Sequence, residues 1–219
     1  MTNALKLYTF KLCPFAHRVR LALAEKGVLA EHIEIDLRNK PAEFLAISPY
    51  GRVPLLVHDD LKVWESAIIL EYLDEAFPGL ALMPTAPAER ATVRMWIESA
   101  NSRLFATTHR LIFAQDVAQR SALIEQLRTD IKLLEADLMQ RQPGTGPYLL
   151  GNKFTLADIA LYPWFEQLPT LQKFSAVIMP EECSNVRTWL AAVAARPAVR
   201  KCSRNDDWYE NEYRAYLAA

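Results

Sequence analysis

Cys13 stands in the run Cys13-Pro14-Phe15-Ala16, just after the alternating segment Leu5-Lys6-Leu7-Tyr8-Thr9-Phe10 and at the start of a helix-forming stretch. Proline suits the first helical position because its missing N–H has no intrahelical partner there, which makes Cys13 the candidate N-cap. Free backbone N–H groups and the positive end of the helix dipole favour an anion at this place and can lower a thiol pKa from ~8.5 to ~3.5–7.5. The competing reading is an inert, half-buried cysteine, the common fate of a lone thiol. Position 16, where a C-x-x-C oxidoreductase carries its resolving cysteine, is Ala. The site is monothiol, so turnover by disulfide exchange requires a small thiol to enter and attack the mixed disulfide. Cys183 and Cys202 lack this setting and read as packing or surface residues.

Two further pairs could hold such a thiol. A proline just before a strand marks a tight turn and is compatible with a cis bond; Val53, before Pro54, could then offer its backbone N–H and C=O to an extended peptide ligand. An ordinary edge-strand proline fits equally well. Ser66, at a helix start, can place its hydroxyl and neighbouring N–H groups on a carboxylate, while Glu65 can accept from an ammonium. Together they suit a zwitterionic amino-acid end, although a helix cap beside a solvated acid explains the same pair. His17 lies one helical turn from Cys13, where a charged imidazole would favour thiolate; its expected place is the exposed face of the helix. Tyr8 is a second candidate for a hydrogen bond to a ligand sulfur.

The elements that must position these residues fall into two textures. Up to about residue 77, strand-like and helix-like runs alternate: a strand at 5–10, a helix from Pro14 to Lys26 stopped by Gly27, a strand at 32–37, and a short helix from Ala42 to Ile47 ended by Ser48-Pro49. Pro54 to His58 and Leu61 to Trp64 flank the turn-forming Asp59-Asp60 and predict an antiparallel hairpin, with a helix over Ser66–Phe77 behind it. The order β-α-β-α-β-β-α predicts a four-stranded mixed sheet with helices packed on it. Pro78-Gly79 and Pro84-Thr85-Ala86-Pro87 suggest a linker, and the remainder reads as helix. There Ile124, Leu127, Ile131, Leu134 and Leu138 form a buried stripe, Arg141 to Pro147 a loop, and Thr155-Leu156-Ala157-Asp158 a reciprocal cap.

Composition narrows the function. The chain has 219 residues, 51% hydrophobic and 23% charged, which excludes an intrinsically unfolded polymer. A formal charge of -1 supplies no broad electrostatic footprint for nucleic acid. No apolar run reaches the ~18 residues of a membrane span, and Lys6 and Lys11 interrupt any secretory leader, so a soluble cytoplasmic protein is expected. Without C-x-x-C or H-x-x-x-H spacing, no metal is expected.

Taken together, these motifs resemble the glutathione transferase superfamily over nearly the whole chain, and its omega-like, cysteine-containing branch in particular. Cys13-Pro14-Phe15-Ala16-His17-Arg18-Val19-Arg20 resembles that branch's catalytic strand-to-helix junction, and Leu37-Arg38-Asn39-Lys40-Pro41 its glutathione-contacting segment. Ser48-Pro49-Tyr50-Gly51-Arg52-Val53-Pro54 resembles the loop leading into a cis-proline, and Trp64-Glu65-Ser66-Ala67-Ile68-Ile69 the γ-glutamyl-binding turn. The resemblance implies α/β plus all-α architecture: a thioredoxin-like domain at 1–79, a linker at 80–88 and an all-helical bundle at 89–219. It implies Cys13 as catalytic thiol with Phe15 beside it, and Leu37 and Lys40 toward the glycine end of glutathione. Val53, before Pro54, would pair with the cysteinyl backbone, and Glu65 and Ser66 would bind the γ-glutamyl end. The implied activity is a glutathione-dependent thiol transferase or reductase acting on a small disulfide or electrophile, in a homodimer that contacts neither nucleic acid nor membrane. Conjugation of glutathione to electrophiles is the enzymatic alternative, and a regulatory protein resembling the stringent starvation proteins the non-enzymatic one. Trp96, Ser99, Ala100 and Arg103 are candidates for the wall of the other substrate's pocket, or for core or dimer contacts. The aromatic group Trp208, Tyr209 and Tyr213 is expected to pack against the bundle.

Overall fold

Alternation in β1 (Leu5–Thr9) buries Leu5, Leu7 and Thr9 and leaves Lys6 and Tyr8 less covered, so one face of the strand belongs to a core. β1 is central. It pairs in parallel with β2 (Glu31–Glu34) and antiparallel with β3 (Leu55–His58), which pairs antiparallel with β4 (Leu61–Trp64) in the order β2-β1-β3-β4. The expected strand at 32–37 is shorter than its alternation because β1 ends at Thr9 and leaves no partner further on. Ile35 N–H still reaches Thr9 O at 2.8 Å, and the Asp36 carboxylate then turns the chain by accepting from Arg38 N–H at 2.9 Å.

Three helices complete this unit. α1 (Pro14–Lys26) starts on its proline and ends where Gly27 takes a left-handed φ of 64°, as its sequence predicts. α2 (Ala42–Ile47) is a single short segment, and α3 (Ser66–Ala76) packs against α1. α3 stops one residue before the expected Phe77, which is extended ahead of Pro78 and stacks on His58. The buried Lys26–Asp74 pair at 3.1 Å then gathers the chain beyond, since Asp74 also accepts from the N–H groups of Leu82 and Met83. The sheet order, the mixed pairing and these helices make the unit thioredoxin-like.

The structure, a computed structural model, describes residues 5–140 and 145–218 and divides into Met1–Met83 and Pro84–Ala219. The second unit is helical: α4 (Pro87–Ser99) runs through a π-helical turn (Ala100–Phe105) into α5 (Ala106–Phe113), followed by α6 (Val117–Met139), α7 (Leu156–Glu166), α8 (Leu168–Ser175), α9 (Ser184–Ala194), α10 (Pro197–Cys202) and α11 (Asp206–Ala218). The stripe on α6 begins at Leu123 rather than Ile124, which is only half-buried; Leu127, Ile131, Leu134 and Leu138 follow as expected. Residues 141–144 of the expected Arg141–Pro147 loop lie outside the described residues. α7 is buried from Leu156 to Phe165. Its start carries the expected reciprocal cap: Thr155 N–H donates to Asp158 at 2.8 Å, and the Thr155 hydroxyl accepts from Ala157 N–H. Asp158 further accepts from Leu149 N–H and the Trp189 indole, tying the helix start to the preceding loop and to α9.

Candidate active site

Cys13 occupies the N-cap of α1 in an extended conformation, its own N–H bound to Phe10 O at 2.9 Å. The half-buried thiol accepts no capping hydrogen bond; instead it donates to Val53 O at 3.8 Å, a sulfur contact that spans the turn before β3. The Val53–Pro54 peptide bond is cis. Burial pushes the Cys13 pKa above its ordinary value. The Ala16 and Phe15 N–H groups and the charges of Arg20 and Arg18 act against this, lying close enough to favour an anion on sulfur although no N–H binds the neutral thiol. The expected lowering by the helix start is therefore present but outweighed. In the free protein burial favours the protonated thiol, while the groups around it favour the ionised form.

The α3 end of the site is organised around Ser66. Ser66 is the first residue of α3 rather than its N-cap; that place belongs to Glu65, whose φ of 66° is left-handed. A non-glycine residue in this region is strained and a pointer to function. Ser66 is buried, and its hydroxyl accepts from Arg18 Nη1 at 3.1 Å, which leaves the O–H free to donate.

The loop before Val53 holds the remaining candidates. The Ser48 hydroxyl donates to Arg52 O and accepts from Arg52 N–H, closing a turn in which Gly51 has a φ of 58°. A Cβ at Gly51 would lie 3.1 Å from Leu45 Cδ2 and 3.7 Å from Lys40 Nζ, so Lys40 folds across this turn. Leu37 and Val53 pack on the core of Ile35, Phe44 and Leu55, and Pro54 is buried at the foot of β3. Half-buried Phe15 covers the Arg18 guanidinium, 4.9 Å from its ring centre.

Thus the structure joins Cys13 to Val53 and Arg18 to Ser66, and sets Lys40 against the loop that carries Val53. Two residues that the sequence reading does not single out complete the picture. Arg18 is fully buried, with burial drawing its pKa down to about 9 while Cys13 opposes the shift, so it stays cationic at neutral pH. Arg20 holds the segment before Cys13, donating to Thr9 Oγ1 at 2.7 Å and to the carbonyls of Phe10 and Lys11. Their spacing from Cys13, with side chains returning along the helix toward its start, was the available signal.

Other expectations resolve differently. His17 is buried, not exposed, because the start of α1 is covered on several sides: Ala16, Arg18 and Val19 are buried with it. Tyr8 stacks on Phe44 at 5.7 Å, in the same apolar cluster. In the helical unit, Trp96, Ser99, Ala100 and Arg103 line a cavity of about 170 Å³ with Leu104, Leu134 and Leu161. Arg103 there binds buried Asp130, at 2.6 Å. Tyr209 and Tyr213 donate to Glu166 and Gln167, which places both in the bundle.

Comparison with known proteins gives the family. The model of the glutathione S-transferase N-terminal domain matches residues 3–75, and that of the C-terminal domain residues 117–192. Glutathione S-transferase omega-1 of Sus scrofa is 35% identical over 196 residues, covering 89% of this chain and 78% of the relative. Among solved structures, glutathione transferase Omega 3C from Trametes versicolor superposes with a TM-score of 0.83 at 28% identity, covering 100% of this chain and 92% of that one. Rice GST1 in complex with glutathione gives 0.84 at 28% identity, with 99% and 97% covered. With both domain models matched in order and relatives aligned over nearly its full length, the chain belongs to the glutathione S-transferase family.

Proposed function

We propose that this protein is a glutathione-dependent thiol transferase or reductase with Cys13 as its nucleophile. The observation that carries the reading is the contact of the Cys13 thiol with the Val53 carbonyl at the start of α1. An extended peptide pairing with the Val53 backbone would lie beside that sulfur. Glu65 accepts from the γ-glutamyl ammonium, the Ser66 hydroxyl donates to its carboxylate, and Lys40 neutralises the glycine carboxylate. Phe15 and Leu37 complete the walls, and Pro54 fixes the turn that presents Val53.

In the first step the Cys13 sulfur attacks the glutathionyl sulfur of a mixed disulfide. The S–S bond to the substrate breaks, a Cys13–glutathione disulfide forms, and the departing thiolate takes up the proton that Cys13 lost. A glutathione thiolate then attacks the bound glutathionyl sulfur, producing oxidised glutathione and returning Cys13 as the leaving thiolate. The substrate leaves as a free thiol and one glutathione thiol is oxidised, the other half of the oxidised glutathione being the glutathionyl group that the substrate carried. The Phe15 and Ala16 N–H groups, with Arg18 and Arg20, favour the charge that Cys13 carries on entering and leaving these steps. Glutathione-dependent reduction of a mixed disulfide by wild type and Cys13→Ala tests this, and equal rates reject it.

One observation favours conjugation as a second reading. A thiol held protonated by burial can donate a hydrogen bond to the thiolate of bound glutathione, which then attacks an electrophile. Cys13→Ser keeps such a donor, so under this reading the variant retains conjugation. As in the resemblance, the protein is read as a cytoplasmic homodimer formed through α3 and residues 89–113. Sedimentation as a monomer at micromolar concentration would remove the dimer.

A further inference from the structure

We propose that Arg18 is the positioning residue of this site, coupling its sulfur end to its carboxylate-binding end by holding the Ser66 hydroxyl and placing a fixed positive charge near Cys13. The inference deepens the proposed function and rests on it. A guanidinium buried away from water costs several kcal/mol unless its surroundings compensate it, and the surroundings of Arg18 are parts of the site. Nη1 donates to Ser66 Oγ at 3.1 Å, across 48 residues of sequence. The ring of Phe15, two residues after Cys13, lies over the cation. The charged groups whose fields reach the Cys13 sulfur are Arg20 and Arg18, and Cys13 in turn is what raises the Arg18 pKa against its burial.

Two consequences follow from this geometry. Because Ser66 Oγ accepts from Arg18, its own proton is directed away from the guanidinium, available to the ligand carboxylate. Because Arg18 is enclosed, its charge is held in place and little screened by salt, and it adds to the larger effect that half-buried Arg20 has on the sulfur. One side chain thereby readies the donor for the γ-glutamyl group and favours the thiolate. Arginine suits this work better than lysine, since its fork can serve Ser66 while its face meets an aromatic ring.

The test uses full-length Arg18→Met and Arg18→Lys with two readouts. The first is the pH profile of Cys13 alkylation by iodoacetamide, which needs no glutathione. Arg18→Met should move the inflection upward and slow alkylation at pH 7 about tenfold; Arg18→Lys, which keeps the charge, should restore most of that rate. The second is glutathione affinity by calorimetry in a cycle of Arg18→Met with Ser66→Ala. Each single variant should weaken binding about tenfold, and the double variant should be little worse than either. An unchanged alkylation profile in folded Arg18→Met, or additive losses in the cycle, overturns the proposal. Should Arg18→Met fail to fold, Arg18→Lys decides: a near-normal alkylation profile with weakened glutathione binding supports the coupling, and normal behaviour in both readouts overturns it. Failure of wild type to bind glutathione would instead reject the functional reading beneath it.

Discussion

The Cys13 thiol donates to the carbonyl of Val53 at 3.8 Å, joining the start of α1 to the residue ahead of β3. In the free protein this contact and burial favour the protonated sulfur, whereas the helix start and two arginines favour the anion. A peptide ligand whose N–H paired with the same carbonyl, as proposed, would compete for that acceptor and favour the thiolate.

Reactivity should therefore rise with pH. Burial raises the Cys13 pKa, so deprotonation is incomplete at neutrality and the thiolate fraction grows about tenfold per pH unit until the pKa is reached. Iodoacetamide alkylation of Cys13 in the free protein should climb from pH 7 to 9 without a plateau. A plateau already reached at pH 7 would mean that the helix start dominates.

Glu65 and the sulfur are expected to be separable. Glu65→Gln removes the proposed charge partner of the γ-glutamyl ammonium and should raise KM for glutathione about tenfold. The alkylation rate of Cys13 should stay within twofold of wild type. Unchanged KM would remove Glu65 from the binding site.

Under the proposed reading Lys40 serves the glycine end, and Gly51 shapes the turn that Lys40 crosses. Lys40→Met should weaken glutathione binding severalfold, with the loss shrinking as salt is raised, since Lys40 is only half-buried and salt would screen its proposed pairing with the carboxylate. Gly51→Ala forces a Cβ into a φ of 58° beside Leu45 and Lys40; a loss of about 1–2 kcal/mol of stability together with weaker binding is expected in urea titration and calorimetry.

Asp158 should matter for folding and not for chemistry. It accepts from Leu149 N–H, Thr155 N–H and the Trp189 indole in a buried setting, so Asp158→Ala strands several donors. A loss of about 3 kcal/mol is expected by urea unfolding, with Cys13 alkylation unaltered.

What could be read from the chain depended on how local its cause was. α1 and α2 were legible because Pro14, Gly27 and Ser48-Pro49 mark their ends within the segments themselves. The reciprocal cap of Thr155 and Asp158 was legible for the same reason. The end of β2 was not, since it depends on where its partner β1 stops. Nor was the upward push on the Cys13 pKa, because the Val53 acceptor comes from 40 positions away. His17 and Arg18 were hidden by the packing of α1, which covers helix positions that the pattern alone assigns to solvent. The Arg18–Ser66 hydrogen bond was not legible, because its partners lie 48 residues apart.

The most direct test is peptide-level mass spectrometry after incubation with oxidised glutathione, alongside the reductase assay. Wild type should acquire one glutathione on the peptide containing Cys13, lose it when reduced glutathione is added, and turn over; Cys13→Ala should do none of these. An adduct only on Cys183 or Cys202, or undiminished reduction by Cys13→Ala, would contradict the account.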